Sequence, residues 1–427
     1  MEYSNFNFLF ENNNKYYVYN SLSNSTFKLT KDLYDELSNF KKGQIITNNE
    51  DFPEEILNQL KKTKVIVNSD KLEKLKLKQN FDKNRFSNEK VYLTIAPTLE
   101  CNFRCFYCFE KGHLLNYSMS DEVENEICNY LKKINGIKEL EICWFGGEPL
   151  LSKDRMISLT KKIKKLEINF NSTLITNGYL LDEDFIQDIT YLNINKIQIT
   201  IDGLEKTHNK RRPHFQNKKS FHVIINNLIK LVDLLNTNKI KIIISIRVNL
   251  DKTNIDEYKQ LYIYLNSKIK YQFLEICPGW VTHVADRKIK PYCMKKKDIY
   301  EFIKKHKKFK EILNTTYPSN TLSDCFARTY WSIVIAPNGD CYKCWEDLGN
   351  EDSKLGNIKD YDLLNSEIQL KYLYDTFPFD NNDCKKCNIL PICSNCPKDF
   401  LESNGKNKCS MYKGRIQEYL KQYISSL

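Results

Sequence analysis

Three cysteines, Cys101, Cys105 and Cys108, stand in the spacing C-x3-C-x2-C directly after the apolar stretch Val91–Ile95. Thiolates this close can hold three corners of an iron–sulfur cubane and leave its fourth iron open to a reacting ligand. A structural zinc site or a set of buried thiols is the competing reading. Structural zinc is the weaker option, because the cysteine loop itself supplies three ligands and no fourth.

A second set comprises Cys325, Cys341, Cys344, Cys384, Cys387, Cys393, Cys396 and Cys409, eight of the fifteen cysteines. Eight thiolates suffice to ligate two [4Fe–4S] clusters fully. Two four-thiolate zinc sites would need the same number, so zinc stays open here. Either metal would fold the surrounding segment, whose own apolar content is thin. Cys128 and Cys143 read as small buried hydrophobes, and Cys277 ends a strand where a thiol could face substrate.

The elements that must position these groups follow from the hydrophobic pattern. From about Lys90 to Lys290, strands predicted at Val91–Ile95, Leu140–Phe145, Ser172–Thr176, Ile197–Ile201, Ile242–Val248 and Gln272–Ile276 alternate with amphipathic stretches. The helical stretches include Asp121–Ile134, Ser152–Leu166, Asp182–Tyr191 and Phe221–Leu235. Six βα units in series predict an α/β fold, a parallel sheet curled into a partial (β/α)6 barrel, with chemistry at the C-terminal strand ends. The first 80 or so residues predict a hairpin around Asn12-Asn13-Asn14, two short helices and a closing strand Val65-Ile66-Val67, which together resemble a winged helix. Asp70–Asn88 reads as a linker or linker helix. The expected domains are 1–80, 90–300 and a Cys-rich 320–427.

The bulk numbers exclude several classes. Hydrophobic residues at 41% and charged residues at 28% fit a globular protein, and no apolar run of 18 residues suggests a membrane span. The net charge of +11 comes from dispersed Lys, which reads as a solvated surface rather than a nucleic-acid face. The N-terminus has no secretory pattern, so a cytoplasmic location is expected, where such cysteine usage means metal or redox chemistry rather than disulfides.

The Cys101–Cys108 loop, with aromatic Tyr107 before its last Cys, resembles the signature of the radical S-adenosylmethionine (SAM) superfamily. The resemblance implies a [4Fe–4S] cluster on Cys101, Cys105 and Cys108 whose open iron chelates SAM, giving methionine and a 5′-deoxyadenosyl radical. Further residues match at the later strand ends: Gly146-Gly147-Glu148-Pro149, Thr176-Asn177, Asp202, Arg247 and Asn249. By resemblance Glu148 meets the methionine amino group, and Thr176, Asn177, Arg247 and Asn249 face its carboxylate, ribose or adenine. Asp202 is a possible proton acceptor, and His113 and His208 near the motif loops could touch substrate.

The C-terminal cysteines resemble the SPASM extension, with Gly339-x4-Cys344 and the C-x2-C-x5-C of Cys384, Cys387 and Cys393. That implies a first auxiliary cluster on Cys325, Cys344 and Cys396, with Cys341 as a candidate fourth ligand, and a second on Cys384, Cys387, Cys393 and Cys409. Two departures stand out: two residues rather than three separate Cys393 and Cys396, and Cys341 is an extra thiol. With three [4Fe–4S] clusters and SAM, the implied activity is maturation of a ribosomally made precursor peptide by a thioether or other crosslink. Its partners would be the precursor's leader, gripped by the N-terminal domain, and a reductant such as flavodoxin or ferredoxin. The alternatives are an anaerobic sulfatase-maturing, formylglycine-forming enzyme and a non-catalytic zinc-binding module.

Overall fold

The computed structural model describes residues 1–46, 52–112, 117–282, 290–319, 325–403 and 409–426. These form two compact units. The first gathers Met1–Phe86, Lys307–Thr329 and Lys371–Leu427, and the second Ser87–His306 and Tyr330–Leu370.

In the first unit, β1 (Glu2–Tyr3) precedes a three-stranded antiparallel meander of β2 (Asn7–Asn12), β3 (Lys15–Asn20) and β4 (Ser25–Leu29). The β2–β3 turn is the expected hairpin: Asn13 and Asn14 have φ of 51° and 58°, the left-handed pair that a two-residue primed turn demands. Helix α1 (Lys31–Ser38) starts where the Thr30 hydroxyl accepts from the Leu33 N–H at 3.3 Å. Helix α2 (Glu54–Lys62) buries Leu57 and Leu60 against Leu37, Val18, Val65 and Ile66. Strand β5 (Ile66–Val67) pairs antiparallel with β1. Strands β1 and β4 escaped the sequence pattern, being short and largely polar. The segment that reads as linker or linker helix is a 17-residue helix, α3 (Asp70–Phe86), ordered because Phe81 packs with Phe377 and Leu390. Sequence distance conceals that contact.

The second unit holds a nine-stranded sheet. Its parallel strands are β6 (Lys90–Ile95), β7 (Glu139–Trp144), β8 (Phe170–Thr176), β9 (Ile194–Thr200), β10 (Ile243–Leu250) and β11 (Leu274–Trp280), the six that the pattern predicts. Between them run α4 (Asp121–Lys133), α5 (Lys153–Lys164), α6 (Phe185–Tyr191), α7 (Glu205–Arg211), α8 (Phe221–Thr237) and α9 (Tyr258–Lys268). The sheet does not close on itself. Strand β6 pairs on its outer side with β12 (Ile333–Ile335), and β13 (Asp340–Tyr342) and β14 (Gly356–Asn357) follow antiparallel. Residues 330–370, expected to belong to the Cys-rich block, thus extend the barrel sheet, while 371–427 join the first unit.

Strand alternation sorts the sheet faces. Leu140, Ile142, Trp144, Leu174, Ile197, Ile199, Ile244, Ile246 and Ile276 are buried on one. The other is polar, with Thr94, Cys143 and Thr173 side by side and Arg247 opposite Cys277. Cys143 belongs to this polar face, and burial pushes its thiol up to about 12.

Candidate active site

The Cys101–Cys108 loop leaves the C-terminal end of β6 and is clamped by backbone from two sides. On one side, the Arg104 N–H donates to the Pro213 carbonyl at 2.9 Å and the Phe106 N–H to the Arg211 carbonyl at 3.4 Å. Phe103 and His214 form an isolated antiparallel bridge. On the other, the Gly147 and Glu148 N–H groups donate to the carbonyls of Thr98 and Glu100 at 3.3 and 2.8 Å. A Cβ on Gly147 would lie 2.2 Å from the Glu100 carbonyl oxygen, and one on Gly146 would lie 2.4 Å from that of Thr98. The two glycines therefore let the turn after β7 lie directly on the strand-to-cysteine connection.

Glu148 is fully buried. Its carboxylate accepts from the Thr176 hydroxyl at 2.7 Å, the Asn177 N–H at 2.7 Å and the Leu150 N–H at 3.2 Å. Burial raises its pKa, partly offset by those donors. Asn177 in turn donates through Nδ2 to Asn102 Oδ1 at 2.7 Å, inside the cysteine loop. Glu148, Thr176, Asn177 and Asn102 thus join the ends of β6, β7 and β8. The carboxylate that the sequence offers to an ammonium is already a structural tie, with a share of its acceptor capacity left over.

At the ends of β9 and β10, Asp202 is the node. Fully buried, it accepts from Tyr107 Oη at 2.5 Å and from the Asn249 N–H at 3.1 Å, and pairs with Arg211 Nε at 3.5 Å. Tyr107 Oη also accepts from Arg212 Nη1 at 2.7 Å and Asn249 Nδ2 at 3.1 Å. Asn249 Oδ1 accepts from Arg247 Nε at 2.9 Å. Arg211 continues to Asp251 at 2.8 Å. Burial would lower the Arg212 pKa, but Cys105, Tyr107 and Asp202 outweigh it and hold that guanidinium charged.

His208 completes the node: its Nδ1 accepts from the Asp202 N–H at 3.2 Å, so the ring is neutral there. Burial, then Arg212 and Arg211, hold it well below the ordinary histidine value. The unfolded chain therefore takes up the extra proton as pH falls below about 6.5, and this contribution to stability is full above that value and lost beneath it. His208→Gln should flatten the acid-side decline of the denaturant midpoint between about pH 6.5 and 5, where one histidine contributes at most about 1.4 kcal/mol per pH unit. An unchanged slope would remove His208 as the cause.

The structure thus brings Cys101, Cys105, Cys108, Tyr107, Glu148, Thr176, Asn177, Asp202, Arg247 and Asn249 into one connected strand-end network, while His113 lies outside the described residues. Sequence reading missed Asn102, Arg211 and Arg212. The two arginines stand in the run Asn209-Lys210-Arg211-Arg212, which resembles the dispersed surface charge elsewhere in this Lys-rich chain, and only the following Pro213 marked a special turn. Glu110, also missed, is buried with one carboxylate oxygen unpartnered, and burial raises it to about 7.

Among the described residues no three ligating side chains are closed into a finished metal cage. The donor set nonetheless fits a cluster with one open iron. Three half-buried thiols share one loop and one electrostatic neighbourhood, and Cys105 is the strongest favourable charge acting on the buried Arg212. Burial pushes all three thiols up, Cys108 to about 12, so a bound cation is what would hold them as thiolates.

The C-terminal cysteines divide between the units. Cys341 and Cys344 lie in the second. Cys341 is fully buried within β13, its Sγ donating to the Gly339 carbonyl at 3.4 Å. Cys344 is partly exposed just beyond the strand. In the first unit, Cys325, Cys384, Cys393 and Cys396 all act electrostatically on the buried Arg328, and Cys384 also feels Cys387 and Cys409. Lys413 Nζ donates to Cys387 Sγ at 3.1 Å.

Several known proteins resemble this chain in sequence or fold. The curated relatives include a cysteine-type anaerobic sulfatase-maturating enzyme of Clostridium novyi, 27% identical over 370 residues, covering 77% of this chain and 95% of that one. A GTP 3′,8-cyclase of Clostridium perfringens is 26% identical over 317 residues, covering 69% and 92%. Among solved structures, anSMEcpe with bound AdoMet and the Kp18Cys peptide superposes with a TM-score of 0.62 at 21% identity, over 79% of this chain and 96% of that one. Streptococcus suis SuiB bound to the precursor peptide SuiA superposes with a TM-score of 0.54 at 16% identity, over 96% and 97%. Residues 95–264 match the Radical SAM superfamily model, and this part of the chain is a radical SAM domain.

Proposed function

We propose that the chain is a radical SAM maturase that modifies a peptide, with a ribosomally made precursor as its substrate and a thioether or other crosslink as its product. The observation that carries the reading is the clamped Cys101–Cys108 loop, tied through Asn102–Asn177–Glu148 and Tyr107–Asp202–Asn249 to the ends of four neighbouring strands. When bound, the cluster and SAM supply reductive cleavage to methionine and a 5′-deoxyadenosyl radical. The chain's own part is to hold the three thiols, fix the strand ends and keep charge balanced around them. Arg247 and Asn249, at the exposed end of β10, orient the SAM nucleoside or carboxylate. The Tyr107 hydroxyl, already committed to Asp202, positions Asn249 rather than reacting.

The first auxiliary cluster would draw on Cys325, Cys344, Cys396 and Cys341, and without Cys341 as a ligand it would keep one iron open to a substrate thiolate. The second takes Cys384, Cys387, Cys393 and Cys409. The meander β2–β4 offers a sheet edge to which a leader could add a strand, and a fold likeness to SuiB that extends over 96% of the chain supports that role. Sulfatase maturation is the second reading, favoured by the Clostridium novyi relative.

The test is anaerobic reconstitution with iron and sulfide, reduction, and incubation with SAM. About twelve irons per chain and release of 5′-deoxyadenosine are expected. A Cys-containing precursor should then lose two hydrogens, whereas a sulfatase peptide would exchange its thiol for an aldehyde, overturning the lead reading. No iron and no SAM cleavage would leave a zinc-bound scaffold.

A further inference from the structure

We propose that Arg328 is a counter-charge shared by the two auxiliary clusters and that it raises their reduction potentials. This rests on the cluster assignment under Proposed function. Arg328 sits three residues after Cys325 in a short 3-10 turn, Phe326–Arg328, and its N–H donates to the Cys325 carbonyl at 3.0 Å. The side chain is only 3% exposed. Its Nη2 donates to both the main-chain oxygen and Oδ1 of Asn395, each at 2.9 Å, and Asn395 lies between Cys393 and Cys396. The Nε group is buried with no hydrogen-bond partner. No carboxylate pairs with this guanidinium among the described residues.

Four thiols supply its favourable electrostatic contacts: Cys325, Cys393, Cys396 and Cys384 in decreasing order. Two of them belong to each proposed ligand set. Arg85, itself buried, lying over the Phe377 and Phe86 rings at 4.5 and 4.6 Å and paired with Asp82 at 3.0 Å, is repelled by Arg328 and offers it no counter-charge.

A buried guanidinium without a counter-charge is costly, and neutral thiols do not supply one. Thiolate-ligated clusters carry net negative charge and do. The same field has a redox consequence. One-electron reduction adds a negative charge to a cluster, with the electron coming from the external reductant. A fixed positive charge at low local dielectric stabilises that reduced form and moves the potential upward. An Arg is suited to this because it stays charged where a Lys could lose its proton, and its planar fork reaches Asn395 twice from one nitrogen.

The experiment uses the whole chain, reconstituted without oxygen, as wild type, Arg328→Lys and Arg328→Gln. Iron per chain is counted, and the clusters are titrated potentiometrically with EPR detection. The cluster on Cys101, Cys105 and Cys108 serves as the internal reference. With full iron, Arg328→Gln should move the auxiliary signals to more negative potential by about tenfold in the one-electron equilibrium, or about 59 mV. Arg328→Lys should recover most of that shift. Wild-type potentials in the Gln variant, or equal shifts in both variants, would overturn the proposal. Should the Gln variant bind less iron, recovery of iron and potential by Lys supports a charge role, and failure of Lys to recover either overturns it. Zinc in place of iron in the wild-type chain would instead overturn the auxiliary-cluster reading itself, before any variant is compared.

Discussion

Asp202→Ala is expected to destabilise the barrel unit by about 3–5 kcal/mol, the usual consequence of removing one partner from a buried charged pair. Asp202 is fully buried, while Arg211 and Arg212 are 3% and 8% exposed, so water cannot replace the lost carboxylate. Three contacts go together: the Tyr107 hydroxyl, the Asn249 N–H and the Arg211 guanidinium. Asp202→Asn should be milder, because an amide oxygen can still accept from Asn249 while the charge and the acceptor of the Tyr107 hydroxyl are lost. Both variants should weaken SAM binding, since Tyr107 would lose the carboxylate oxygen that fixes it, and in Asp202→Ala Asn249 would lose its acceptor as well. Equilibrium denaturation of the anaerobic protein measures the first effect and calorimetric SAM titration the second. A loss below about 1 kcal/mol for Asp202→Ala would mean that Asp251 alone suffices to balance Arg211.

Gly147→Ala should nearly abolish SAM cleavage in a chain that still folds. The added Cβ would meet the Glu100 and Leu99 carbonyl oxygens at 2.2 and 2.5 Å. Backbone atoms cannot rotate away, so the turn after β7 must lift off the cysteine connection. Overpacking of this kind costs about 1–3 kcal/mol, and displacing a reacting centre by about 1 Å can cost about 100-fold in rate. Release of 5′-deoxyadenosine per cluster, normalised to iron content, is the readout. A rate within a few-fold of wild type would show that the close approach at Gly147 does not position the cluster loop.

Much of this was legible from spacing and alternation. The six parallel strands matched their predicted runs to within a few residues, because burying every second side chain on one sheet face leaves a period-two apolar signature. The Asn-Asn hairpin was equally readable, since two left-handed residues in succession are tolerated by few side chains. Gly146-Gly147-Glu148-Pro149 stood out as a motif, yet the work of its glycines did not. Their contacts are with the backbone at positions 98–100, and no local pattern encodes which backbone will come within 3 Å.

The chain by itself determined the types and order of its reacting groups: three thiols after the first barrel strand, polar residues at the later strand ends, and a Cys-rich tail. Those follow from periodicity and from ligand chemistry, both local properties. Only the tertiary structure decided which groups are engaged with each other. It turned Glu148 from a free acceptor into a tie between strands, recruited Arg211 and Arg212 from a stretch of surface-like charge, and sent Cys341 into the core. It also moved residues 330–370 from the tail to the barrel sheet, and it settled the segment after β5 as a helix by packing Phe81 on Phe377 and Leu390. The reason is common to all five: burial, charge pairing and strand addition depend on residues tens to hundreds of positions away, which composition and spacing do not record.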